Sequence, residues 1–409
     1  MEEREFYERL ADLAIRVGVN LQPGQKLFVV GEVDHAPLVR ATMEAGWRAG
    51  ASDVLHYYRE PYDRLFLGRY GTDEQLERSH VSELALVDDM ANERPAIVAI
   101  IGEADPDLYS TVDPAKLARI RPVEFYRRQE VISARQGIAW TLIPFPTAAW
   151  AARIFGEPDL ERLRDVISRS VRLDEPDPIA AWQAHAKELR ERAELLTSSG
   201  YDGVRFCGPG TDLFVGLVPG AVWGSVPEMK TAWGQRHCAN MPTEEVATTP
   251  DCMRTSGVVT TTLPFADVGA YVTGARLRFE DGRVVDCSAE EGEAWLKQVI
   301  ETDEGAAMLG EVALVPAENR LSALGMTFFS VLFDENVASH VALGQSYSEG
   351  VPGSEDLTIE ERRAMGMCQS VVHFDFMIGS SEMDVFGVRK DGTEEPVMVG
   401  GQWSGGMRS

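Results

Sequence analysis

Near the C-terminus, Val371-Val372-His373-Phe374-Asp375-Phe376-Met377-Ile378 sets a histidine and an aspartate two residues apart inside an apolar run. If the run is a strand, its side chains alternate between faces, so His373 and Asp375 point the same way. A desolvated carboxylate needs a counter-charge. A metal ion would supply it, and so would the histidine alone, as a His-Asp pair at a strand end. Four further positions put ligand-type residues in similar settings. Met241-Pro242-Thr243-Glu244-Glu245-Val246 reads as a short strand bracketed by Pro242 and Pro250. On a strand, Glu244 and Glu245 would face opposite ways, so they cannot both address one site. Glu311 opens the apolar run Gly310–Pro316, His340 lies in Ser339–Gly344, and Tyr347 follows just past a glycine turn. Each has an ordinary reading: a solvated glutamate, a hydrogen-bonded core histidine, a packing tyrosine. Of seven histidines, only His340 and His373 sit in long apolar contexts beside these acids.

The elements that must position them divide into two textures. Residues 3–18 carry apolar residues at helical spacing (Phe6, Leu10, Leu13, Ala14), which predicts an opening helix. A turn at Gln22–Gln25 leads to a strand at Lys26–Val30, a helix around Ala36–Ala49 stopped by Gly50, and a strand at Asp53–Tyr58. Ile97–Gly102 and Ile138–Ile143 read as further strands of what the strand–helix–strand order makes a parallel sheet. A polar helix over Asp177–Ser198 marks the boundary between an α/β domain, residues 1–198, and a second domain, residues 199–409. Beyond it, short strands with frequent Gly, Pro and Thr turns predict an α+β, largely antiparallel domain. Within that domain, two strands flank Glu280-Asp281-Gly282-Arg283 and a helix starts near Ala289.

A chain of 409 residues exceeds one ordinary core, and 44% hydrophobic with 25% charged residues is a soluble globular composition. A formal net charge of −26 argues against nucleic acid and anionic membranes as partners. No run of about 18 apolar residues could span a bilayer. The first residues lack a signal-peptide pattern. Five cysteines, an odd number without Cys-x-x-Cys spacing, are neither a disulfide framework nor a zinc ribbon. These features predict a reduced, cytoplasmic protein.

Taken in order, Gly18-Val19-Asn20-Leu21-Gln22-Pro23-Gly24-Gln25, Pro146-Thr147-Ala148-Ala149-Trp150-Ala151, Gly210-Thr211-Asp212-Leu213, Asn240–Val246, Thr302–Gly305 through Gly310–Pro316, Leu332-Phe333-Asp334-Glu335-Asn336 and His373–Gly379 resemble the aminopeptidase T/aminopeptidase S family of metallopeptidases. The resemblance runs over nearly the whole chain. It implies a dinuclear centre ligated by Glu245, Glu311, His340, Tyr347, His373 and Asp375, with Glu245, Glu311 and Tyr347 as the candidates for a direct part in catalysis. Three carboxylates, two imidazoles and a phenol suit two divalent ions of Zn, Co or Mn. Such a pair would activate a water and polarise the scissile carbonyl, and could hold the α-amine of a peptide. The implied activity is release of N-terminal residues from short peptides, by a homodimer whose N-terminal domains close over the active sites.

Four places depart from the family pattern. Ala247 stands where an aromatic is usual, Ser339 where cysteine is common, Cys368 where asparagine is usual, and His237-Cys238-Ala239 is atypical before Asn240. They are either drift or a reshaped pocket. A ring-cleaving dioxygenase of the same fold would use one iron(II) and fewer carboxylates, which retention of both Glu245 and Glu311 opposes. A non-catalytic binding protein would not need the complete ligand set.

Overall fold

The computed structural model describes residues 1–102, 108–120, 137–267 and 270–407, and in addition residues 122, 124, 125, 127, 128 and 132. The chain forms two compact units, Met1–Gln183 with Pro227–Met241, and Ala184–Val226 with Pro242–Ser409. The helix Pro178–Ser199, where the sequence reading sets its boundary, runs through the point at which the first unit gives way to the second.

In the first unit the apolar stripe of the opening helix, Glu3–Leu13, buries Phe6, Leu10 and Leu13, and a wider π turn, Ala14–Gly18, continues it. Four parallel strands follow in the spatial order Asp53–Arg59, Lys26–Glu32, Ala96–Ile101, Ala139–Pro144. The helix Ala36–Arg48 makes the first crossover, with Pro37 in its first turn and Gly50, at φ 90°, beyond its end. Segment 227–241 is tied to this unit by backbone and side chain. The Gln235 amide donates to Val19 O and Asn20 O, and Cys238 N–H donates to Gly18 O.

The second unit holds two large antiparallel sheets. Eight strands run in the order Arg283–Ser288, Arg276–Glu280, Pro250–Thr260, Thr211–Leu217, Gly203–Gly208, Asp384–Val388, Glu394–Val399, Gln402–Trp403. The turn foreseen at 280–283 is a tight hairpin with Asp281 at φ 47° and Gly282 at φ 84°, the left-handed pair that a two-residue connection requires. The helix after it starts at Glu293, four residues later than the pattern suggested, because Glu291 still bridges to Thr273. The other sheet has five strands: His373–Met377, His340–Gly344, Leu309–Leu314, Val246–Thr248 and Gly224–Ser225. One of its faces, with Val246, Val312, Leu314, Val341, Leu343, Phe374 and Phe376, enters the hydrophobic core.

Candidate metal centre

The opposite face of the five-stranded sheet carries the polar residues. Strand pairing sets Glu311 beside Ala342 and Ala342 beside Asp375, while Ala247, Ala313, His340 and Met377 form the next cross-strand row. His373 stands beside Gly344. Alanine and glycine between the long polar side chains leave room above the sheet for a small charged group. The aim of Glu311 depends on a bulge between Leu309 and Glu311. A Cβ on Gly310 would lie 2.3 Å from Gly344 O, so only glycine allows the neighbouring strand this close.

Two triads of donor atoms converge there, Glu245 with Glu311 and His340, and Glu311 with His373 and Asp375, each within 4.8 Å. Glu311 belongs to both and divides its oxygens between them: Oε1 lies 3.9 Å from His340 Nε2 and Oε2 lies 3.5 Å from His373 Nε2. His340 Nε2 is 3.0 Å from Glu245 Oε2, and His373 Nε2 is 3.5 Å from Asp375 Oδ1. Each imidazole turns Nδ1 to a backbone carbonyl, Ala338 O at 3.3 Å for His340 and Gln345 O at 2.8 Å for His373. In the tautomer that donates those bonds, both Nε2 lone pairs point into a cluster of carboxylates, which is repulsive unless a cation or a proton lies between. Among the described residues no donor meets the buried Glu245 Oε2 in hydrogen-bonding geometry. The donor set therefore fits a divalent cation.

The titration shifts have the same origin. Burial works against a charged His340, but Glu245, Asp375 and Glu311 outweigh it and push the imidazole up to about 10. His373 rises to about 9, Asp375 and Glu311 overcoming its burial. Glu311 rises to about 7, because burial, Asp375 and Glu245 outweigh the opposing His373 and His340. Asp375 is also buried, but His373 holds it below the usual carboxylate range. The cluster takes up protons where positive charge is lacking.

Five of the six residues named from the sequence are in the triads. The sixth, Tyr347, sets its ring 4.6 Å from that of His373 at a tilt of 46° and is 48% exposed, so it forms the solvent side of the centre. Glu244 and Glu245 diverge as expected, although only Val246–Thr248 is strand and both glutamates precede it. Glu244 N–H donates to Asn336 Oδ1 at 2.7 Å, and its carboxylate lies 3.7 Å from His185 Nε2.

Glu335 was not singled out as a site residue. It is buried, and burial followed by the charges of Glu245 and Asp375 raises its carboxyl well above the ordinary value. Its neighbours explain the whole Asp-Glu-Asn run. Asp334 accepts from Phe328 N and Ser330 N at 2.8 and 3.0 Å, and Asn336 binds Leu332 O as well as Glu244 N. Three consecutive polar residues between Phe333 and Val337 were the available signal. Of the departures, Ala247 lies on the site face, whereas Ser339 accepts from Val315 N and donates to Val315 O, both at 3.0 Å, just before His340. The Cys368 thiol faces Gly305 O, outside the donor cluster.

A carboxylate-rich centre on the antiparallel sheet of one unit, in a chain whose other unit has a parallel sheet, defines the class as a two-unit metalloprotein. Residues 3–403 match the family described as thermophilic metalloprotease (M29), and the chain belongs to that family. Aminopeptidase T of Thermus thermophilus is 40% identical over 417 residues, covering 97% of this chain and 98% of that protein. The solved structure of wild-type AmpT from Thermus thermophilus superposes with a TM-score of 0.88 at 37% identity, covering 98% of this chain and 100% of its own. A 2,5-dihydroxypyridine dioxygenase from Pseudomonas putida shares the fold at a TM-score of 0.55 and 13% identity, covering 98% of this chain and 96% of its own.

Proposed function

We propose that this protein is a metallo-aminopeptidase that removes N-terminal residues from short peptides with two divalent ions, of Zn, Co or Mn. The observation that carries the reading is the sharing of Glu311 between two donor triads, one oxygen toward each. Glu245, Glu311 and His340 would hold one ion, and Glu311, His373 and Asp375 the other. When bound, such ions lower the pKa of water and polarise a carbonyl. The chain supplies the rest. The Nδ1 bonds to Ala338 O and Gln345 O keep both imidazoles aimed. Glu245 adds negative charge that attracts a peptide's α-ammonium, which favours chain ends over internal bonds. Tyr347, on the solvent side beside His373, is placed to meet the entering peptide and to join the ligands. The proposal extends to a cytoplasmic homodimer in which residues 199–409 carry the centre and residues 1–198 form the α/β domain.

The test is metal analysis of the purified protein beside a panel of amino-acid anilides. Two equivalents of metal per chain with amide hydrolysis, abolished by chelation and restored by a divalent ion, is the expected result. One iron with oxygen uptake and no amide hydrolysis would return the chain to the dioxygenase reading.

A further inference from the structure

Cys252 and Cys368 are far apart in sequence and share a small buried cluster with Met308. The backbone brings them together: Cys252 N–H donates to Gly366 O at 2.8 Å, two residues before Cys368. Their surroundings are tight. A Cβ on Gly305 would lie 3.1 Å from Cys368 Sγ and 2.3 Å from Gln369 O, so Cys368 is closely packed on that side. The other cysteines are elsewhere. Cys207 and Cys287 are on strands separated by three others in the eight-stranded sheet, and Cys238 belongs to the other unit.

Cys368 is also wired to the metal centre through backbone. Its N–H donates to Ser346 Oγ at 3.0 Å and its carbonyl accepts from Ser346 N at 2.9 Å, one residue before Tyr347. Two residues on, Ser370 N donates to Gln345 Oε1 at 2.9 Å, and Gln345 O is the partner of His373 Nδ1. The strand Pro250–Thr260 carries Cys252.

We propose that Cys252 and Cys368 are a reversible oxidation site, a disulfide that fastens the strand Pro250–Thr260 to segment 366–370, which bonds to Gln345 and Ser346 and leads into His373. The oxidant is hydrogen peroxide, small enough for a site where Cys252 is 7% and Cys368 2% exposed. The Cys252 sulfur attacks a peroxide oxygen, the O–O bond breaks, and water leaves with the thiol proton to give a sulfenic acid. The Cys368 sulfur then displaces the sulfenic oxygen, which departs as a second water with the remaining thiol proton. Two electrons pass from the sulfur pair to the peroxide. Cys252 is the more exposed of the two, and the Cys368 thiol is taken up by Gly305 O at 3.2 Å, so Cys252 is the attacking sulfur.

The experiment uses the full-length, metal-loaded protein treated with hydrogen peroxide, quenched and denatured. Of five cysteines, the titratable thiols should fall by two. Peptide mapping should show a Cys252–Cys368 crosslink that a thiol reductant removes. Cys207→Ser should still lose two thiols, whereas Cys252→Ser and Cys368→Ser should yield no crosslink. Amide exchange across 345–348 and 366–370 should slow on oxidation. Retention of all five thiols, a crosslink elsewhere or between chains, oxidation that stops at sulfinate, or unchanged exchange in the crosslinked protein would each overturn the proposal. Wild-type mapping alone decides it if a serine variant fails to fold.

Discussion

Replacing Glu311 by alanine should abolish metal-linked stability as a whole, because this carboxylate alone belongs to both donor triads. At free metal about 1,000-fold above Kd, one bound ion stabilises the native state by about 4 kcal/mol. For a folding unit of roughly 150–250 residues, that corresponds to about 8–16 °C in thermal midpoint per ion. Wild-type protein stripped with a chelator should therefore gain a large shift on metal addition, with two equivalents retained after desalting. Glu245→Ala leaves the Glu311, His373 and Asp375 triad intact and should keep roughly half the shift and one equivalent. Glu311→Ala takes one donor from each triad and should show a shift of at most a few degrees and no retained metal. Differential scanning fluorimetry with and without chelator, paired with elemental analysis, reads both quantities. If Glu311→Ala kept two equivalents and the full shift, the shared-ligand geometry would be wrong. If it lost one ion and held the other at wild-type affinity, Glu311 would serve a single site.

Ala247→Phe sets a ring in the row of Ala313, His340 and Met377, and should change relative rates among anilides with different N-terminal side chains. An unaltered rank order of rates would place Ala247 outside the substrate's reach. Ser339→Ala leaves the buried N–H and C=O of Val315 without their hydroxyl partner and should cost about 1–3 kcal/mol in denaturant unfolding, with weaker metal retention at His340. A midpoint equal to wild type would sink this account. His35 and His237, held near 4 mainly by burial, bind fewer protons folded than unfolded, so each contributes stability that is complete above pH 6.5 and is lost as pH falls toward 4. That is about 3 kcal/mol per histidine. Unfolding of the first unit, followed by Trp140 and Trp150 fluorescence, should weaken between pH 7 and 5, and a flat profile would contradict it.

The ligand strands were legible in sequence because each is a short apolar run interrupted by one polar residue or, at His373 and Asp375, by two polar residues two apart, and a period of two survives folding unchanged. Glu244 and Glu245 do point apart, but both precede the strand Val246–Thr248, so alternation is not the cause. The strand assigned to Met241–Val246 was too long at its start, since Asn336 rather than a neighbouring strand takes the Glu244 N–H. Glu335 escaped because its surroundings are a helix end and a loop, where no period tells inward from outward. Segment 227–241 bonds to Gly18, Val19 and Asn20 of the first unit, a long-range pairing that local pattern cannot encode. The approach of Cys252 to Cys368 is invisible for the same reason.

The five-stranded sheet has one greasy face and one acidic face, assigned by nothing more than residue parity. A one-residue slip of the whole strand His373–Met377, such as an insertion just before His373 would impose, would carry His373 and Asp375 toward the core and bring Phe374 and Phe376 out. Reading frame in the strand and electrical polarity of the sheet are then a single heritable property. In a library of insertions through this sheet, tolerance should depend on whether the number of added residues is odd or even, long before it depends on which residues they are.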